Sequence, residues 1–381
     1  MARVIVGSYL FRFPLGGYMS WVIQWLIGLR RLGHDVYVFE RSGYSGSCYD
    51  PAAGLHGDDC AYGLRVVGQL LIDFGFEDRW CYHAADDTYY GLSRGRVAEA
   101  FKTADLFVDM GAHGAWEPES MLAARTVLVD GEPGRTQIRR ARRLALGDRV
   151  PVYDRYFTVG LNVGASTCTV PTCGIEWLPI VDPVDVALFP VRSLPAGAAY
   201  TTVMSWRAHE ALEHLGNVYG QKDRSFNRFM DLPSRIVHPL EMAVAGQGTP
   251  RDQLVAAGWR LRDAEETTVS FDSWRQYIAN SRGEFGVCKE IFVAMNTGWF
   301  SDRSAVYLAS GRPVVLQDTG FSDHLPCGLG LFAVQSVDEA ASAIEAIERC
   351  YEQQARAARE LAVEYFDTRK VLSRFLASAG L

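Results

Sequence analysis

The chain has 381 residues, 48% hydrophobic, 12% aromatic and 22% charged, the composition of a folded globular enzyme rather than of a disordered or fibrous chain. No apolar run reaches the roughly 18 residues that span a bilayer, and the opening MARVIVGSYLFRF alternates like a strand instead of forming a secretory leader. A net charge of −7 argues against a nucleic-acid partner.

Strand-loop-helix alternation begins at once. Residues 3–8 (RVIVGS) are a short apolar strand, followed by the loop LFRFPLGG and a helix from Tyr18 to Leu32. Val22, Trp25, Leu26, Leu29 and Leu32 recur at spacings of three and four and form one apolar face. Gly33 suits the helix C-cap, and DVYVFE follows as a second strand. Two strands joined by a helix predict a right-handed crossover and hence a parallel sheet.

The pattern continues with a helix at 61–74, a strand at 80–84 and a helix at 94–103. Buried strands follow at 104–110 (ADLFVDM) and 125–131 (RTVLVDG), then a basic helix at 135–145 and a strand in RYFTVG. From 160 to 199 Pro, Gly, Thr and Cys replace the periodicity, the mark of an interdomain connection. Alternation restarts at 200 with strands in AYTTVMSW, LEMAVAG, WRLRD, EFGVCKE, RPVVLQD and GLFAVQ. Helices are expected near 221–230, 250–257, 271–280, 302–310 and 336–351, the last opened by a Ser336/Glu339 capping box. A final helical region, 353–379, breaks at Asp367. The expected fold is α/β, two doubly wound Rossmann-like domains facing across a cleft. The first covers 1–192 and the second 193–352, with helices in 353–381 packing back on the first.

Open parallel sheets bind ligands beyond the carboxyl ends of their strands. The first such loop reads FPLGG and not GxGxxG, so a nicotinamide-dependent dehydrogenase loses its support. Gly16 and Gly17 either admit a ligand to the helix N-terminus, near the acceptor, or simply make a tight turn. In 281–321 a loop containing Gly298 and Trp299 leads to Ser301 as N-cap, Asp302 in the first turn, Arg303 and Ser304. Free N–H groups there, with the guanidinium, suit a diphosphate. Gln317, Asp318 and Thr319 follow the next strand, where short polar side chains can read sugar hydroxyls. Only four of the 38 basic residues are lysines. Two of them, Lys222 in GQKD and Lys289 in EFGVCKE, fall where they either face the cleft or form surface ion pairs.

The eight cysteines form no CxxC pair and no zinc spacing, so no metal site is expected. Without a secretory leader, reduced thiols and a cytoplasmic location follow.

The glycine-led loop, Ser/Asp N-cap, A-x-G-x-P turn, apolar strand and Q/D pair of TGWFSDRSAVYLASGRPVVLQDTGF resemble the donor-binding region of GT-B glycosyltransferases. GLNVG, PTCGIEWLPI, YGQKDRSF and SRGEFGVCK look like a bacterial glycosyltransferase-like subgroup. The resemblance implies a GT-B fold and a hexosyltransferase-like reaction. A sugar would pass from a nucleoside-diphosphate sugar on the C-terminal domain to a small-molecule or lipid-like acceptor on the N-terminal one. It also implies that no metal or cofactor takes part, the nucleotide sugar being a substrate, and that helix dipole and cations stabilise the leaving diphosphate.

Many inverting members of that family place a histidine just after the first strand; this loop has none, and His34 comes too late. The remaining base candidates are Asp109 and His113 in DMGAHGAWEPE, and Asp130 and Glu132 in VDGEPGRTQ. Each is able to deprotonate a hydroxyl or merely to cap a strand-to-helix turn. Trp116 and Trp299 are ring-stacking residues or core. The arginines at 135, 139, 140, 142 and 143 are a patch for an acidic acceptor or a solvated helix face. A sugar-nucleotide epimerase of the same fold and a non-catalytic binding relative are the competing readings.

Overall fold

The computed structural model describes residues 1–381 except 52, 112 and 247. The chain builds two sheets in succession. The first half contains β1 (Arg3–Gly7), β2 (Asp35–Arg41), the hairpin β3 (Cys48–Asp50) and β4 (Leu55–Gly57), β5 (Trp80–His83) and β6 (Tyr89–Gly91). It continues with β7 (Leu106–Asp109), β8 (Thr126–Asp130), β9 (Arg155–Thr158) and β10 (Trp177–Pro179). The second half contains β11 (Tyr200–Ser205), the hairpin β12 (Leu212–His214) and β13 (Asn217–Tyr219), β14 (Leu240–Ala245) and β15 (Arg260–Asp263). It ends with β16 (Gly283–Gly286), β17 (Val314–Gln317) and β18 (Leu331–Val334). The N-terminal sheet has the order β10-β9-β8-β7-β1-β2-β5-β6 and the C-terminal sheet β15-β14-β11-β16-β17-β18. All pairings in the two are parallel except β5 with β6. Such sheets need apolar residues on both faces; Val4, Ile5 and Val6 of β1 and Val314, Val315 and Leu316 of β17 are wholly buried.

The first helix, α1 (Gly16–Arg31), begins two residues earlier than the periodicity suggests. It is buried by the N-terminal sheet on one side and by both later parts of the chain on the other. At Gly16 a Cβ would lie against Trp274 and 2.8 Å from the Ser270 carbonyl oxygen, at the start of the C-domain helix Phe271–Ala279. At Gly28 it would strike Leu372 and come within 3.0 Å of Thr368 Cβ, on the C-terminal helix Thr368–Ala379. Trp25 and Phe157 meet Phe375 of that helix with ring centroids 5.1 and 4.8 Å apart. The chain returns to the first domain after a turn at Ala362–Phe366; Asp367 then caps the last helix, accepting from the Arg369 N–H at 3.0 Å. One apolar cluster therefore runs unbroken from Val4 and Val22 through Trp274 to Tyr307 and Leu316, joining the two domains.

Three local expectations change. The EFGVCKE strand stops at Gly286, and Glu290–Ala294 turns into a short helix. The connection is less irregular than its composition suggests, since it contains β10 and a helical turn at Val186–Leu188. Ser336 caps its helix through the Glu339 N–H at 3.2 Å, but the Glu339 carboxylate returns to the Gln335 N–H, so the box is not closed on the capping residue. Among the described residues no helix is long and apolar enough to cross a membrane.

The contact at Gly16 is with backbone, which cannot rotate away. Gly16→Ala should lower stability by about 1–3 kcal/mol. Gly17→Ala, whose Cβ would find only the Trp274 indole nitrogen at 3.9 Å, should be neutral or stabilising. Paired denaturant titrations check this.

Candidate active site

The carboxyl ends of the two sheets turn toward each other. On the N-terminal side, the loop after β1 is shaped by the buried carboxylate of Glu40. It accepts the backbone N–H groups of Leu10, Phe11 and Arg12 and the Arg12 Nε, the last at 2.8 Å. This places Tyr9 and Phe13 beside Tyr18 and Trp21 of α1, with Tyr9 centred 5.2 Å from Tyr18 and 6.0 Å from Trp21. The Trp21 indole N–H donates to Asp182 Oδ1 at 2.8 Å. Two residues beyond β8, Glu132 reaches across to Lys289, whose Nζ donates to its Oε2 at 2.5 Å. The loop 160–163 is stitched to the other domain too: the Asn162 N–H donates to the Thr297 carbonyl at 3.0 Å, and Asn162 Oδ1 pairs with His324 Nε2 at 2.6 Å.

On the C-terminal side, Glu284 of β16 is wholly buried and accepts Arg303 Nε at 2.6 Å; Arg303 also donates to the Val203 carbonyl at 2.8 Å. Gln317 clamps the loop after β16, accepting the Cys288 N–H at 3.1 Å on its side chain and the Cys288 thiol at 3.2 Å on its carbonyl. That positions Lys289. Lys222 begins the short helix Lys222–Phe226, with no ion pair or hydrogen bond to its ammonium among the described residues. Gln221 Oε1 and Ser304 Oγ are likewise buried without partners among the described residues.

These charges act on one another. Burial pushes the Lys222 ammonium down to about 7, and the guanidinium of Arg303 pushes further in the same direction. Burial would raise Glu132, but the Lys289 ammonium and its hydrogen bond, with His209 and Arg135, hold it below the ordinary value. Burial and the charge of Asp302 push Asp182 up to about 7, against the Trp21 hydrogen bond. Asp302 is itself raised, by burial, against the pull of Arg303 and Lys222. Tyr18 rises to about 12, first through burial and then through Glu132 and Asp302. Two carboxylates from opposite domains, a set of cations and two phenols thus share one narrow space.

No family model and no curated protein matches this sequence. Solved structures do match it, end to end. HepE of Anabaena, in complex with UDP and glucose, superposes with a TM-score of 0.59 at 12% identity over 99% of this chain and 100% of its own. An α-glucosyltransferase in complex with UDP and a 13-mer DNA gives 0.58 at 8% over 100% and 99%. Sucrose-phosphate synthase of Thermosynechococcus elongatus gives 0.54 at 11% over 100% of both chains. The fold is GT-B. The agreement lies in architecture, since the identities are too low to carry residue roles.

Within this GT-B cleft the residues singled out by sequence separate clearly. Lys222, Lys289, Arg303, Asp302 and Glu132 come together. Asp109 and Asp130 do not present free carboxylates. Asp109 accepts the N–H groups of His113 and Gly114, both at 2.9 Å, and the Tyr153 hydroxyl at 2.7 Å. Asp130 accepts the Glu132 N–H, the Gln137 amide and the Thr158 hydroxyl at 2.8–2.9 Å. Both tie strand ends to the turns that follow. His113 is exposed, in a left-handed conformation (φ 47°).

Gly16 approaches Trp274, so its missing side chain serves domain docking and leaves no room for a ligand there; Gly17 lies next to it. A Cβ at Gly298 (φ 72°) would lie 2.8 Å from the Asn162 nitrogen, and Trp299 lies on Phe292 with centroids 4.7 Å apart and bridges to Gly160. Trp116 is core, under the Arg41 guanidinium at 4.1 Å. Ser301 occupies the N-cap position, but its hydroxyl caps nothing; Asp302 and Asp182 carboxyls stand at that helix end, where a diphosphate was expected. Gln317, Asp318 and Thr319 spend their side chains on the protein: Asp318 on the Gly320 N–H and Ser322 hydroxyl, Thr319 on the Trp299 carbonyl. The arginine run is divided, Arg140 donating to the Pro151 carbonyl at 2.8 Å and Arg142 to the Glu213 carbonyl, while Arg135 stands near Glu132. Asp182, Tyr9 and Tyr18 lie outside every motif, and Glu284 was not singled out within SRGEFGVCK. Asp182 sits in the segment that composition marked only as a connection.

A lysine held down to about 7 makes stability depend on pH: between about 7 and 10.5 the unfolded chain binds a proton that the folded one rejects, so stability rises with pH over that window. Lys222→Met removes the dependence. Without ligand its melting temperature should exceed the wild type's near pH 7, with the gap closing toward pH 10.5.

Proposed function

We propose that the protein is a glycosyltransferase that moves a sugar from a nucleoside-diphosphate sugar to a small-molecule or lipid-like acceptor, with the diphosphate held by Lys222, Arg303 and Lys289. The observation that carries this reading is Lys222. Burial and the Arg303 charge both work against its ammonium, Glu284 offsets them only in part, and no ion pair to it is formed among the described residues. Desolvated like charges are costly until a ligand supplies the opposite charge. A leaving diphosphate brings that charge, and these cations would stabilise it as it develops. The unpartnered Gln221 and Ser304 side chains are further groups that a ligand would satisfy. The chain's own cations fill the role a metal plays elsewhere, and no cofactor enters the scheme.

The wall of Tyr9, Phe13, Tyr18 and Trp21 suits the apolar faces of a small ring or lipid-like acceptor. The α-glucosyltransferase structure contains DNA, but here the net charge of −7 and the carboxylates of Glu132, Asp182 and Asp302 disfavour a polyanion. Eight unpaired cysteines fit action in the cytoplasm.

HepE and the α-glucosyltransferase were both solved with UDP, which makes UDP the first probe. Calorimetry with UDP, GDP and dTDP should show binding of at least one, weakened about tenfold or more by Lys222→Ala, the loss of one charge-assisted hydrogen bond. Lys222 is a cleaner choice than Arg303, because removing Arg303 leaves Glu284 buried and unpaired at a cost of roughly 3–5 kcal/mol. A panel of nucleotide sugars then reports the reaction. Conversion to an epimer without acceptor would assign an epimerase instead, and no nucleotide binding at all would overturn the reading.

A further inference from the structure

Asp182 is a cleft carboxyl held rigidly with one oxygen left over. Its backbone is fixed on both sides: the Ile180 N–H donates to the Thr158 carbonyl at 3.0 Å, the Val184 N–H to the Phe366 carbonyl at 2.7 Å, and the Asp185 N–H to the Gln24 side chain at 2.6 Å. Its side chain is 8% exposed. Trp21 holds Oδ1, and Oδ2 makes no hydrogen bond among the described residues. Glu132, Asp109 and Asp130, by contrast, have both carboxylate oxygens engaged. The groups around Asp182 come from both domains. Asp302 stands opposite on the helix Asp302–Ala309, itself facing Arg303, Lys222 and Glu284. The phenols of Tyr9 and Tyr18 feel the charges of both Glu132 and Asp302.

We propose that Asp182 is the general base of the transfer reaction, with Trp21 as the residue that positions it. The inference rests on the glycosyltransferase reading above. As the acceptor oxygen bonds to the anomeric carbon, Oδ2 of Asp182 takes the hydroxyl proton. The bond from that carbon to the diphosphate oxygen breaks on the opposite face, and its electron pair leaves on the diphosphate, toward Lys222 and Arg303. The proton then passes to water. This is a single displacement and inverts the anomeric centre. Burial and the neighbouring Asp302 charge give Asp182 the near-neutral affinity for a proton that a base needs. Glu132, pulled the other way by Lys289, is the weaker base.

The test uses whichever donor of the panel turns over, beginning with UDP-glucose, and has an arm that needs no turnover. Wild-type kcat should rise through about pH 7 to a plateau. Asp182→Asn, which keeps an oxygen for Trp21, should lose about 100-fold or more in kcat while its UDP dissociation constant stays within about twofold. Asp302→Asn should move the midpoint down by removing the like charge, and Trp21→Phe should move it up by removing the hydrogen bond; a merely structural role would shift neither. In protein labelled with carboxyl-13C aspartate, one resonance should titrate near neutrality and vanish in Asp182→Asn. Absence of any such resonance overturns the inference whatever the kinetics, as does a product of retained configuration. Unchanged kcat in Asp182→Asn with UDP bound overturns the base and leaves the donor reading standing, whereas failure of the wild type to bind any nucleotide removes both.

Discussion

The close approach of three parts of the chain at α1 is the constraint on which the rest depends. Glycine at position 16 lets the C-domain helix Phe271–Ala279 rest on the start of α1, and glycine at position 28 lets the C-terminal helix rest on its other end. Neither contact leaves room for a methyl group without displacement. Because both partners are wrapped around the same helix, the domains share one apolar core, and the orientation of the cleft follows from packing rather than from a hinge of few contacts. Trp21, on the same helix, carries that orientation into the site by holding Asp182.

The cleft is organised by charge in a way that separates two tasks. Cations converge there with unequal partners: Arg303 has Glu284, Lys289 has Glu132, and Lys222 has no ion pair among the described residues. Carboxyls converge a short way off, where burial raises the proton affinity of Asp182 and Asp302 and the charge of Asp302 raises that of Asp182 further. Such an arrangement costs folding stability in the free protein and suits a reaction in which an anion departs while a proton is taken up, since both demands arise in the same step. Glu132 and Lys289 also tie the domains together, so charged side chains of the cleft take part in holding its two walls in place.

Local pattern was enough to read the alternation of strands and helices, the parallel sheets and the break at Asp367. These are properties of periodicity and of glycine and proline placement, which act over a few residues. Short elements escaped it, such as β6, β10 and the two hairpins, because three residues hold too little periodicity to stand out. The site was legible only in part. Lys222 and Lys289 stood out because lysine is scarce in this chain and both flank predicted strands or helices. Asp109 and Asp130 looked equally suitable at strand ends, yet the structure spends them on turns, and nothing in DMGAHG or VDGEPG distinguishes a carboxylate that caps from one that reacts.

What the sequence by itself determined is therefore the two-sheet α/β architecture. What only the tertiary structure decided is which side chains meet in the cleft: Glu132 with Lys289, Arg303 with Glu284, Trp21 with Asp182, and Lys222 with none among the described residues. These partners are 19 to 161 residues apart in the chain. A group's reactivity depends on burial and on charges brought near it through folding, and those are long-range quantities that no local pattern encodes.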